Sequence, residues 1–364
     1  MEESRPDHQT TAPRKRRFPF SATFASLRHR NYRLFFFGQM ISLPGTWMQW
    51  TAQGYLVYDL ALRHHPEYAK VILGLFGTIA TLPMAILPPF GGYVADRFPR
   101  RSILLVTQSI SIIMPLILAA LVLLDVVRIW HVAVLAGMLA VVFSFDMPAR
   151  QAFVVDLVGK DDLPNAIGLN SGVFNSARVV GPAVAGIVMA VVSIGYCFLI
   201  NGISYIAVVI ALFMIRLPGV ERRLQSGSLF RRLAAGFSYV RKERRVFGLM
   251  ALLTIIGVFG FSYTRILPAF ARDIFNVKDV GFAQLLTFNG FGAIVGSLIV
   301  ASLAGRGNKK HLLFVGGFIF CVGLAAFSFA GNFTTALVFM PFVGTGLIMF
   351  FVTANTLVQS VVPD

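Results

Sequence analysis

Acidic residues are scarce in this chain: 16 Asp and Glu stand against 32 Lys and Arg, and charged residues of both signs make up only 13% of it. So little charge on a 364-residue chain that is 56% hydrophobic, with a mean hydropathy of +0.74, excludes a water-soluble globule. Cysteine is rarer still. Cys197 and Cys321 both fall inside apolar runs, where a free thiol behaves as a small hydrophobe, so neither a disulfide framework nor a metal-ligand set follows. A G-x-x-x-x-G-K-[ST] loop is absent, as is any polar stretch long enough to form a nucleotide-binding domain, which argues against primary pumping and against a nucleotide cofactor. Residues 1–33 are polar and lack a short apolar core ending in a cleavage site, so they read as a cytoplasmic arm rather than a signal peptide. The Arg16-Arg17 pair does not make a twin-arginine export signal, because the apolar run that follows is far too long. Within the arm, residues 24–33 mix apolar and basic residues as a helix lying on a lipid surface does.

What the chain does have is apolar runs of membrane-spanning length. They fall near 34–58, 71–94, 102–124, 132–154, 163–192, 195–215, 246–270, 280–304, 312–330 and 334–358, which predicts an all-α polytopic membrane protein with ten transmembrane helices. With the N-terminus inside, roughly 24 Lys and Arg lie on the inner face against about five outside, the asymmetry expected of a multi-pass chain in the cell's inner (plasma) membrane. The net charge of +16 is therefore a topology signal and not a nucleic-acid footprint. The basic connection 216–245 divides the chain into a six-helix bundle, 34–215, and a second bundle, 246–364. Residues 95–106 align without a gap on 304–315, matching basic positions while Gly305 replaces Asp96. Halves related in this way are how many transporters are built. On that reading the second bundle holds four helices where the first holds six.

The turn between the second and third runs reads Gly92-x-x-x-Asp96-Arg97-x-x-Arg100-Arg101. This pattern resembles the signature of the major facilitator superfamily, with Pro99 where glycine is usual. The resemblance implies a two-bundle fold of twelve spans, of which ten are present, a monomer, and alternating access. It also implies that the first, fourth, seventh and tenth spans line a central cavity. Gln49, Trp50, Gln53, Tyr263, Arg265 and Asn355 are then candidate substrate contacts; the alternative for each is an interhelical hydrogen bond or, for Arg265, a snorkelling side chain. Asp96 would hold the inner side closed by engaging the opposite half and a base on the fourth helix, for which Arg150 is the candidate. Gly172, Gly181-Pro182 and Gly186 resemble the signature of proton antiporters of the same superfamily, with Ala177 and Ala185 at positions where further glycines are common. Plain close packing is the competing explanation. Stretches 31–35, 42–49, 146–151 and 165–170 resemble the branch containing the enterobactin exporters and related efflux proteins.

Four charges lie inside the apolar runs, and beside Arg265 three of them are candidates for proton coupling: Asp146, Arg150 and Arg178. Asp146 and Arg150 are four residues apart and share a helix face, so they form either a proton-responsive pair or a static one that fixes helix rotation. Arg178 needs a partner or water, and Asp146 is the nearest intramembrane acid by topology.

The expectation is a secondary transporter, not an enzyme. It exports an amphipathic small molecule against protons, and no metal or other cofactor is implied. Uptake or lipid flipping by the same fold remains open, because fold does not fix direction. An intramembrane enzyme would have to use Asp146 with His131, or Asp156, Asp161 and Asp162, whose spacing fits a loop and a helix cap better than a metal site. A non-transporting sensor would use the arm and the basic connection.

Overall fold

The computed structural model describes residues 24–159, 161–216, 244–260, 262–277, 279–303 and 309–361. The basic connection, the 304–308 turn and most of the arm lie outside the described residues. Helices account for nearly all the rest. Those on the N-terminal side are α1 Arg30–His64, α2 Ala69–Ile86, α3 Pro88–Arg97, α4 Arg100–Leu123, α5 Ile129–Val158, α6 Leu163–Val191 and α7 Ile194–Met214. On the C-terminal side follow α8 Arg244–Ile255, α9 Ser262–Ala269, α10 Asp279–Leu303, α11 Lys309–Ser328 and α12 Phe333–Val361.

Among the described residues, eight helices are long and apolar enough to cross a membrane. The first and seventh predicted spans are not among them, for different reasons. In α1 the amides Gln39, Gln49 and Gln53 dilute the apolar run, although the helix continues unbroken through Pro44. The seventh is segmented: π-helical turns at Ile256–Gly260 and Phe270–Ile274 flank α9, which itself contains Pro268. The second span is also split. Pro88 cannot continue α2, because it offers no backbone N–H, but it serves as the first residue of α3.

A surface-lying helix over 24–33 does not form. The segment instead makes a 3₁₀ turn, Ala25–Arg28, and enters α1. Tyr32 is fully buried, its hydroxyl donating to the Ala166 carbonyl at 2.9 Å, and the Ser26 N–H donates to Asn165 Oδ1. Docking on α6 outcompetes the lipid surface because it satisfies these polar groups.

Two ends of the bundle can be distinguished: the turn end, which carries the start of α1 and the 97–101 turn, and the far end, which carries the end of α1 and the 270–277 segment. The largest apolar cluster joins both sides of the molecule toward the far end. It combines Tyr55, Leu56 and Leu60 with Leu267, Phe282, Leu285 and Leu347. Toward the turn end the clusters separate. One, around Phe35, Leu104, Phe153 and Leu212, is wholly N-terminal, and another, Leu313, Phe350 and Ala354, is wholly C-terminal. The helices are thus joined across the halves at one end and separately cored at the other. Outward-facing apolar side chains such as Leu75, Leu82, Ile113 and Phe318 are exposed, as a lipid solvent requires.

Candidate functional site

Asp146 is 2% exposed in the middle of α5. Its Oδ1 accepts from Thr107 Oγ1 at 2.8 Å and Gln108 Nε2 at 2.7 Å, both from α4, and its Oδ2 pairs with Arg150. Arg150 thereby serves Asp146, one turn away on the same helix, and Pro148 between them leaves α5 continuous. A carboxylate with this many donors is strongly held, and deleting one member of such a buried set costs on the order of 3–5 kcal/mol. Thr107 and Gln108 were not legible as partners. Helix packing puts them there, and neither residue type signals a carboxylate.

Arg178 does not reach this pair. Its guanidinium lies 5.6 Å from the ring centre of Trp47, which in turn meets Trp50 edge-on at 4.9 Å. The two arginines of the predicted trio therefore face different surroundings, one beside a carboxylate and one over an indole.

Three predicted substrate contacts converge. Trp50 and Gln53 of α1 line a cavity of about 140 Å³ with Thr81 of α2 and with Leu139 and Phe143 of α5, and Arg265 enters it from α9. That volume matches roughly one aromatic ring. Arg265 crosses from the C-terminal side, and a Cβ built on Gly77 would meet its Cδ and Cγ at 3.8 Å. The other candidates lie elsewhere. Gln49, one turn from Gln53, is buried and accepts from Asn201 Nδ2 of α7 at 2.5 Å. Such an interhelical bond contributes about 0.6 to 1.7 kcal/mol. The Tyr263 hydroxyl accepts from Asn289 of α10 at 2.9 Å. The side chain of Asn355 lies outside the described residues. The second span thus supplies wall in place of the tenth, because α2 leans between α1 and α5.

The antiporter-like glycines separate into distinct jobs. A Cβ on Gly181 would lie 2.4 Å from Trp47 Cβ and 2.7 Å from the Pro44 carbonyl, so α6 touches α1 backbone to backbone. Pro182 beside it lies within the unbroken α6. A Cβ on Gly186 would lie 1.7 Å from Ala283 Cβ of α10, across the two sides of the molecule. Gly172, toward the turn end, faces open space. The turn motif shows a similar displacement. A Cβ on Gly92 would meet nothing within 4 Å, whereas one on its neighbour Gly91 would lie 2.2 Å from the Ser144 carbonyl oxygen of α5.

Arg100 donates to the Ala152 carbonyl at 2.8 Å and to Asp156 at 2.7 Å, both on α5. Arg101 caps α7 through the carbonyls of Leu212 and Phe213. These bonds satisfy carbonyls that a helix end leaves open. Arg97 lies over the Tyr93 ring at 4.3 Å, and Asp96 is exposed. Asp162 does not cap α6 with its side chain. It accepts from His29 at 2.7 Å and Arg28 at 2.8 Å, and these two partners hold its carboxyl below the usual carboxylate range.

At the far end lies an ionic cluster that was not legible in the sequence. Asp59 of α1 binds Arg63 at 2.6 Å and Arg272 at 2.5 Å, while Asp273 accepts from Tyr58 at 2.7 Å and meets Lys70 at 2.9 Å. Arg272 and Asp273 belong to the seventh pass, and their partners belong to the first two. Asp59 and Arg63 are a readable i,i+4 pair, but only folding shows that it is completed across the halves.

A many-pass helical bundle, joined across its halves at one end and enclosing buried charge and a cavity, is that of a major facilitator transporter. The chain belongs to the family described as transmembrane secretion effectors, whose model matches residues 21–364. It is similar to the Staphyloferrin A transporter of Staphylococcus aureus (strain NCTC 8325 / PS 47), 24% identical over 293 residues, which are 80% of this chain and 72% of that protein. It is also similar to Macrolide efflux protein A of Streptococcus pyogenes, 23% identical over 71% of this chain and 64% of that one. Among solved structures, a bacterial homolog to the human lysosomal transporter Spinster, inward-facing and unoccupied, superposes with a TM-score of 0.67. The identity is 12%, over 90% of this chain and 74% of that one. A bacterial homologue of the iron transporter ferroportin, inward-facing, gives 0.60 at 15% identity over 92% and 85%. These relatives are transporters, not enzymes, and the intramembrane-enzyme alternative is set aside on that ground.

Proposed function

We propose that this chain exports an amphipathic small molecule through the inner membrane by proton antiport, working as a monomer with its N-terminus in the cytoplasm. The observation that carries the reading is the Asp146–Arg150 pair, a buried acid and base on one face of α5, in the half of the molecule where the two sides are separately cored. The turn end then corresponds to the cytoplasmic side, consistent with its basic residues. Protonation of Asp146 would weaken its hold on Arg150, and the change in α5 would be felt at Phe143 and Leu139 in the cavity wall. Trp50, Gln53 and Arg265 are the proposed substrate contacts. Arg178 keeps the Trp47–Trp50 wall in place, and Gly181, Pro182 and Gly186 let α6 approach its neighbours.

Everted membrane vesicles test this. Loaded with an acid-inside gradient, they should accumulate amphipathic dyes, and Asp146→Asn should retain dye binding while losing the pH dependence of exchange. No accumulation of cationic, neutral or anionic dyes under either gradient polarity would overturn the proposal, and ordinary coupling in Asp146→Asn would remove that residue from it.

A further inference from the structure

Of the proposed substrate contacts, Arg265 is the one that carries a charge. It is half-buried, it stands on α9 between two π-helical turns, and it lines the cavity walled by Trp50, Leu139 and Phe143. Arg63, Lys70, Arg100, Arg150 and Arg272 each meet a carboxylate, and Arg97 and Arg178 each lie over an aromatic ring. Among the described residues Arg265 pairs with neither, and the cavity lining contains no acid. Beside it, Gln53 is 3% exposed and its Nε2 has no acceptor among the described residues. A cation and an amide donor without partners are thus gathered in a cavity otherwise built of rings, alkyl groups and Thr81, whose hydroxyl already donates to the Gly77 carbonyl.

Keeping a guanidinium inside a membrane-spanning bundle without a counter-charge is costly, and such charges mark ligand pathways. Packing alone does not explain the choice, since the stem against Gly77 would be served as well by a methionine. We infer that the cavity receives the carboxylate of an amphipathic organic anion. The Arg265 fork and the Gln53 amide would bind the anionic group, while an adjoining ring or alkyl segment lies against Trp50 and Phe143. A planar fork of N–H donors matches the two oxygens of a carboxylate. Gln53 adds a neutral donor at the side. The roughly ring-sized volume admits the anionic end of a larger molecule and not the whole of it. This inference rests on the proposal that the cavity is a substrate site, and it narrows the substrate to the anionic class.

Isothermal titration of the purified full chain in detergent tests it, with 4-phenylbutyrate, 4-phenylbutyramide and 4-phenylbutylamine as probes of equal length that differ only in the end group. The carboxylate should bind at least about tenfold more tightly than the amide, with the amine weakest. Arg265→Gln should bring the carboxylate down to the level of the amide while leaving amide binding within about twofold, and Arg265→Lys should retain part of the preference. Should Arg265→Gln fail to fold, the wild-type probe series decides alone. Equal binding of acid and amide, tighter binding of the amine, or no measurable carboxylate binding would overturn the inference. Because titration in detergent needs no proton gradient, its failure is separable from failure of the vesicle assay. Vesicles that pump neutral or cationic dyes without a carboxylate preference would sink the anion and keep the exporter.

Discussion

The two ends of the molecule hold their helices by opposite means. At the far end, apolar contacts and ion pairs run between the N-terminal and C-terminal sides: Gly186 against Ala283, Asp59 with Arg272, and Tyr58 and Lys70 with Asp273. At the turn end, the bonds of Arg100, Arg101 and Asp162 all return to the N-terminal side that made them. A two-state transporter needs one end closed by contacts that can be exchanged and the other free to close. The far-end contacts are therefore the ones whose loss should change the conformational balance, whereas turn-end contacts should change only the stability of one half.

The largest effect is expected from Gly186→Val. Its Cβ has no room against Ala283, so the far end should open at a cost of about 3 kcal/mol to the closed form, read as a longer spin-label distance across that end. The same change at Gly172 should leave the distance alone; a shift there would break the distinction between the two motif glycines.

Next comes Asp59→Asn, which removes the carboxylate shared by Arg63 and Arg272. Asp59 is 12% exposed and Arg272 26%, so the pair is partly sheltered, and about 1–2 kcal/mol should move toward far-end opening. Faster labelling of Ala61→Cys, a position that is fully buried, would report it. Unchanged labelling would mean that the apolar cluster alone closes this end.

Arg100→Gln should cost about 1–2 kcal/mol through the lost bonds to Ala152 and Asp156. It should lower the melting temperature without altering the distance across the far end. An altered distance would show that the ends are coupled through α5.

The smallest effect concerns Asp162. Its carboxyl is held down by His29 and then Arg28, so the clasp on the 3₁₀ turn is fully present above the ordinary carboxylate range and is lost as pH falls through the lowered value. A fluorophore on Leu27→Cys should stay in its docked state at about pH 5 and release only below about pH 4, while Asp162→Asn should release it at neutral pH. Release already at pH 5 in the wild type would contradict the lowered value.

Parts of this arrangement could be read from the chain and parts could not. The Asp146–Arg150 pair followed from helical spacing alone, because i and i+4 share a face in any α-helix. That Trp50, Gln53 and Arg265 would meet was reached by resemblance, but the same reasoning also brought in Gln49 and Tyr263, which hydrogen-bond to neighbouring helices instead. Gln49 and Gln53 are four residues apart and share a face of α1, so what separates the interhelical amide from the cavity one is depth along the helix, which spacing does not give. Gly91 was missed beside Gly92 because a motif names a pattern, whereas close approach depends on which glycine faces the neighbouring backbone.

What the sequence determined by itself is the solvent and the local elements. Apolar runs of fixed length, basic connections and i,i+4 pairs are properties of contiguous residues, and the bilayer reads them directly. What only the tertiary structure decided is which charges meet. Asp59 joins Arg272, Asp273 joins Tyr58 and Lys70, and Asp146 takes Thr107 and Gln108 because separate helices pack at particular rotations and depths. Those angles are set by small residues such as Gly181 and Gly186 acting between helices, so no stretch of the chain taken alone contains them.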